Sequence, residues 1–92
     1  MSKIELHAVF KGHVQGVGFR WTLVDYAEKF HLSGTAQNLT DGTVEVYAHG
    51  SKESLEQFLE AVKQDAGAAR IDNVKIRFQN PQDSFSDFRI IH

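Results

Sequence analysis

The run Ile4-Glu5-Leu6-His7-Ala8-Val9-Phe10-Lys11 alternates in polarity, and Gly12-His13-Val14-Gln15-Gly16-Val17-Gly18 then breaks the alternation ahead of Phe19. A period of two puts Ile4, Leu6, Ala8 and Phe10 on one face of a half-buried strand, with Glu5, His7, Val9 and Lys11 on the other. From Phe19 the period lengthens. Leu23, Ala27 and Phe30 are spaced i, i+4, i+7, which predicts a helix ended by Ser33-Gly34. A strand that feeds a helix through a glycine-rich loop is the first half of a βαβ unit.

Working outward, Thr35 to Leu39 reads as a second strand, and Thr40-Asp41-Gly42 as a hairpin loop in which Gly42 supplies a positive φ. Val44, Val46 and Ala48 alternate as a third strand. Ser51 is a good cap for a second helix, whose apolar stripe Leu55, Phe58, Leu59 and Val62 runs toward Gly67 as C-cap. Val74, Ile76 and Phe78 predict a fourth strand, Asn80-Pro81-Gln82-Asp83 a turn, and Phe88 with Ile90 a short closing strand. The order is β-α-β-β-α-β plus a short C-terminal strand. It predicts an α+β fold, the ferredoxin-like split βαβ sandwich, with two helices on one face of a mainly antiparallel sheet. Residues 1–92 are expected to form a single domain, with Phe10, Phe30, Phe58 and Phe78 in its core.

Composition removes several function classes. The 92 residues are 41% hydrophobic and 24% charged, which is ordinary for a folded domain. The absence of cysteine excludes thiolate ligands and cysteine nucleophiles. A net charge of −2 gives no polymer-scale field for nucleic acid. RNA-recognition domains share this architecture, but Thr43-Val44-Glu45-Val46-Tyr47 lacks their basic-aromatic third-strand motif. No segment approaches the roughly 20 apolar residues of a membrane span, and Met1-Ser2-Lys3-Ile4-Glu5 lacks an apolar leader, so a cytoplasmic protein is expected, and its small size and self-contained core predict a monomer. His7 and His49 fall on one sheet face, but without a third ligand they read as solvated strand residues, and no metal site is expected.

The glycine loop is the segment with chemical promise. Clustered glycines let successive backbone N–H groups converge on an anion, and the loop opens into a helix whose first N–H groups have no intrahelical partner. The dinucleotide fingerprint and the Gly-Lys-Ser/Thr ending of a phosphate-binding P-loop are both missing, so a plain strand-to-helix turn stays open as a reading. Arg20 favours an anion site. A cation in the first helical turn opposes the dipole, unless its guanidinium swings out to a carboxylate such as Asp25. In the split βαβ order, strands one and two run parallel with strand three between them. Their C-terminal ends then share one sheet edge, about 10 Å apart, which brings Asn38 toward the loop. An amide there can hold a water; an ordinary hairpin asparagine is the alternative.

Gly12-His13-Val14-Gln15-Gly16-Val17-Gly18-Phe19-Arg20 resembles the first signature of the acylphosphatase family, and Gly34-Thr35-Ala36-Gln37-Asn38-Leu39-Thr40-Asp41-Gly42-Thr43-Val44-Glu45 is similar to its second. The resemblance implies hydrolysis of a small-molecule acyl phosphate to a carboxylate and inorganic phosphate, without metal or organic cofactor. It assigns phosphoryl binding to Arg20 and orientation of the attacking water to Asn38. Gln15, Gly16, Val17, Gly18 and Phe19 would supply backbone amides. His13 stands where the family often has arginine, and Thr35-Ala36 replaces an aromatic-valine pair. Two other readings compete: a phosphate-binding module without turnover, and phosphate monoester hydrolysis with His13 as general acid.

Overall fold

A computed structural model describes residues 3–92. The elements are β1 (Ile4–His13), α1 (Phe19–Lys29), β2 (Ser33–Asn38), β3 (Val44–Gly50), α2 (Lys52–Gln64), β4 (Arg70–Gln79) and β5 (Phe88–Ile91). The sheet order is β4-β1-β3-β2-β5; every pairing is antiparallel except β2 with β5. This is the ferredoxin-like sandwich that the element order predicts. β1 and β2 lie parallel on either side of β3, so their C-terminal ends do share one edge.

The two central strands obey the alternation closely. Leu6, Ala8 and Phe10 on β1, and Val44, Val46 and Ala48 on β3, are fully buried beneath Leu23 and Ala27 of α1 and Leu55, Phe58 and Val62 of α2. Phe10 meets Phe19 edge to face at 5.2 Å, an arrangement that suits the ring quadrupoles and pins the first turn of α1 to the sheet. Edge strand β4 keeps the parity but not the burial. Val74 and Phe78 are half-buried and Ile76 is exposed, as befits a strand at the rim of the sheet. Phe30, at the end of α1, is also only half-buried.

Several boundaries differ from the sequence reading, β2 among them, which runs over Ser33–Asn38 rather than Thr35 to Leu39. β1 continues to His13 by way of a bulge against β4 between Lys11 and Gly12, so the loop proper is Val14–Gly18. α1 ends at Lys29, not at Ser33-Gly34. His31 takes the left-handed conformation (φ 58) expected of a terminating glycine, and Leu32 donates back to the Ala27 carbonyl at 2.8 Å. Gly34 belongs to β2, where a Cβ would stand 1.8 Å from the Tyr47 carbonyl oxygen, so its small size serves strand packing. α2 likewise stops at Gln64; Gly67 lies beyond it and donates to Asp65 Oδ1. The Ser51 cap forms as predicted, accepting from the Ser54 N–H at 3.1 Å.

The face without helices carries imidazole–carboxylate hydrogen bonds rather than bare histidines. His7 Nε2 lies 2.8 Å from Glu45, and His49 Nε2 lies 2.7 Å from the buried Glu5, which also accepts from Gln79 and from the Gln82 N–H. Burial pushes the Glu5 carboxyl up, but the hydrogen bonds from Gln79, His49 and Gln82 and the His49 charge outweigh it, and the group sits below its ordinary value of 4.5. A carboxylate lowered on folding adds stability above its unfolded pKa and loses it as the pH falls through the folded value. Glu5→Gln should therefore cost about 1.5–3 kcal/mol at neutral pH, the range for hydrogen bonds to charged groups. The gap from wild type should narrow below pH 4.5. Denaturant melts of both proteins at neutral and acid pH check this, and a gap that ignored pH would refute it.

Candidate active site

The loop Val14–Gly18 crosses from the end of β1 to the start of α1, and both of its ends are anchored in the core. Val14 and Phe19 are buried in the core, and between them Gly16 and Gly18 have φ of 76 and 74. A side chain at either position would meet no neighbour within 4 Å, so the constraint is conformational: the turn needs left-handed backbone, which costs glycine nothing. Gly18 is also the N-cap of α1 and, having no side chain, leaves the leading N–H groups of the helix uncapped. Those groups carry the positive end of the helix dipole.

Arg20 is the second residue of α1 and is half-buried. The outward swing toward Asp25 does not occur: Arg20 belongs to none of the ion pairs among the described residues. α1 has no acidic residue in its first turn. An arginine and a run of uncapped amides thus fall in one turn of the chain, with no ion-pair partner for the arginine among the described residues. Such a cluster is complementary to a tetrahedral oxyanion.

Asn38 is the last residue of β2, opposite Val44 on β3. It is half-buried, and its Oδ1 is enclosed without a hydrogen-bond partner. The hairpin beyond it is braced from inside. Leu39 donates to the Thr43 carbonyl at 2.9 Å, Gly42 donates to the Leu39 carbonyl at 3.1 Å, and Asp41 Oδ1 accepts from both the N–H and the hydroxyl of Thr43. These bonds from Thr43 hold the Asp41 carboxyl below its ordinary range. Gly42 has φ 91, as the turn requires.

Gln15 joins the two halves. Its side-chain amide donates to the Leu39 carbonyl at 2.8 Å and to the Thr43 carbonyl at 2.9 Å, reaching from the loop to the hairpin. The sequence reading gives Gln15 a backbone amide only; the reach of its side chain depends on a pairing between distant segments that no local pattern announces. His13 lies on the hairpin side, sharing a cleft with Gly42 and Thr43 rather than with the loop. It is exposed at the end of β1 and lines an open cleft with Lys11, Asp41, Arg70 and Asp72 that none of residues 15–20 enters.

The family model for acylphosphatase matches residues 6–90. An acylphosphatase of Thermobifida fusca is 43% identical over 88 residues, covering 96% of this chain and 97% of its own. A crystal structure of acylphosphatase from Bacillus subtilis superposes with a TM-score of 0.90 at 30% identity, over 97% of this chain and 99% of that one. An acylphosphatase structure from Coxiella burnetii gives 0.88 at 32% identity, over 98% and 94%. Agreement of this extent takes in the loop, the hairpin and the sheet that carries them: the chain belongs to the acylphosphatase family.

Proposed function

We propose that this enzyme hydrolyses acyl phosphates by direct attack of water. Asn38 orients the water; Arg20 and the backbone amides of residues 15–19 hold the phosphoryl group. The oxygen of water bonds to phosphorus as the bond from phosphorus to the acyl oxygen breaks. The carboxylate leaves with the electron pair, and the two protons of water end on phosphate and solvent. The observation that carries this reading is the joining of the two halves: Arg20 and the uncapped start of α1 on one side and Asn38 at the end of β2 on the other, tied by the Gln15 bonds to the Leu39 and Thr43 carbonyls. A side-chain amide carries both a donor and an acceptor, which is what holding and aiming one water requires.

Phosphoryl transfer asks mainly for positioning and charge stabilisation. The leaving carboxylate is the base of an acid with a pKa near 4, by analogy with side-chain carboxyls, so it departs without a general acid. Arg20 and the amides meet the charge on the phosphoryl oxygens, so neither a metal nor an organic cofactor enters the scheme. Every group in it comes from one chain, and a monomer suffices.

An assay with an aromatic acyl phosphate, run with and without a chelator on wild type and His13→Ala, tests the reading. Turnover is expected in all four cases, with His13→Ala within about tenfold of wild type, since a leaving carboxylate asks for no general acid. Thermal protection by phosphate without turnover would favour a binding module. Loss on chelation would overturn the cofactor-free scheme. Collapse in a folded His13→Ala, together with activity on an aryl phosphate, would favour monoester hydrolysis.

A further inference from the structure

We infer that the Gln15 side chain is a positioning residue, which sets the distance and angle between the phosphoryl cradle and the water-orienting amide of Asn38. The inference rests on the hydrolytic reading above. The cradle hangs from β1 and the amide from β2, and those strands do not touch, because β3 lies between them. The ladder from β1 to β3 ends at Phe10 opposite Val44, and the ladder from β2 to β3 ends at Asn38 opposite the same Val44. Beyond Val44 the two halves of the site are separate excursions of the chain.

Among the described residues, no backbone hydrogen bond joins the loop 14–18 to the hairpin 39–43. The link is the Gln15 amide, which spends both N–H donors on it, at 2.8 and 2.9 Å. Its two acceptors are well chosen. Leu39 is next to Asn38 in the chain, and the Leu39 N–H is bonded to the Thr43 carbonyl that Gln15 also engages. A shift of Gln15 therefore transmits to the residue following Asn38 through two contacts rather than one. Each half is rigid internally, through the buried Val14 and Phe19 on one side and the Asp41–Thr43 bonds on the other. What the sheet leaves unset is their relative placement, and misplacement of a reacting group by 1 Å can cost about 10²-fold in rate.

The test is a double-mutant cycle on the intact chain with Gln15→Ala, Asn38→Ala and the pair, reading kcat on an aromatic acyl phosphate and competitive inhibition by inorganic phosphate. Gln15→Ala should lower kcat by about 10–10²-fold while phosphate inhibition stays within about twofold, because the backbone cradle is untouched. In the Asn38→Ala background the same change should move kcat by less than about twofold, because Gln15 acts through the alignment of Asn38. Additive losses in the two backgrounds, or parallel loss of phosphate affinity, would overturn the proposal in favour of a general structural role. Gln15→Met, which keeps length and apolar bulk but donates nothing, should reproduce the kcat loss if Gln15→Ala folds poorly; full activity in folded Gln15→Met would also overturn it. A second readout does not depend on turnover: the side-chain amide resonances of Asn38 should shift in Gln15→Met without substrate. An inactive wild type would sink the hydrolytic reading by itself, whereas unmoved Asn38 resonances would sink the positioning role by itself.

Discussion

Replacing Arg20 by alanine should lower kcat/KM for an acyl phosphate by about 10³–10⁵-fold, the range found when an arginine serving a transferring phosphoryl group is absent. That corresponds to about 4–7 kcal/mol of transition-state stabilisation. The same change should leave folding stability unchanged or slightly improved. Arg20 stands in the first turn of α1, against the helix dipole, and has no carboxylate partner among the described residues. A cation so placed costs about 0.3–1 kcal/mol, which alanine returns. Activity and stability should thus move in opposite directions.

Lysine at the same position separates charge from geometry. It keeps the positive charge but presents a point donor in place of a planar fork, so two-point contact with the phosphoryl oxygens is lost. Arg20→Lys should weaken inhibition by phosphate and slow turnover together, because the contact exists in both the ground and the transition state. Steady-state kinetics, phosphate inhibition and thermal melts on both variants decide the matter. If folded Arg20→Ala kept kcat/KM within tenfold of wild type, the phosphoryl-binding role would be wrong.

How far the sequence reached follows from the kind of information each feature needs. β1 and β3 were legible because they are central strands with one face under both helices, so polarity and burial coincide at Leu6, Ala8, Phe10, Val44, Val46 and Ala48. On the rim the link weakens. Ile76 has the right parity, opposite Ala8, yet is 39% exposed on the edge strand β4. Helix ends were the least legible feature, since backbone conformation there is not tied to one residue type: His31 does at φ 58 what a glycine was expected to do. The cradle was readable because it is local, a matter of glycine spacing and a helix start. The Gln15 bridge was not, because its partners stand 24 and 28 residues away and are carbonyls, which every residue has. The hairpin bonds bring those two carbonyls together, and the pairing of β1 with β3 brings them to Gln15.

Asn38→Ala should lower kcat by about 10²–10³-fold, the cost of losing one preorganised polar group at a transition state, or roughly 3–4 kcal/mol. Inhibition by inorganic phosphate should hardly change, because Asn38 acts on the water and Arg20 with the amides acts on the phosphoryl group. Stability offers a control. The Asn38 Oδ1 is enclosed and unpartnered, so its removal relieves a desolvation penalty rather than breaking a hydrogen bond. A drop in kcat therefore cannot be assigned to loss of a structural contact through that oxygen. Asn38→Asp supplies the opposite case. It keeps an acceptor at that place but adds negative charge where an anionic phosphoryl group must bind, so both phosphate inhibition and kcat should fall. The two variants together isolate the water: one should move kcat alone, the other kcat and phosphate affinity. If Asn38→Ala weakened phosphate binding as much as it lowered kcat, Asn38 would be a substrate contact, and the water would have to be oriented by another group.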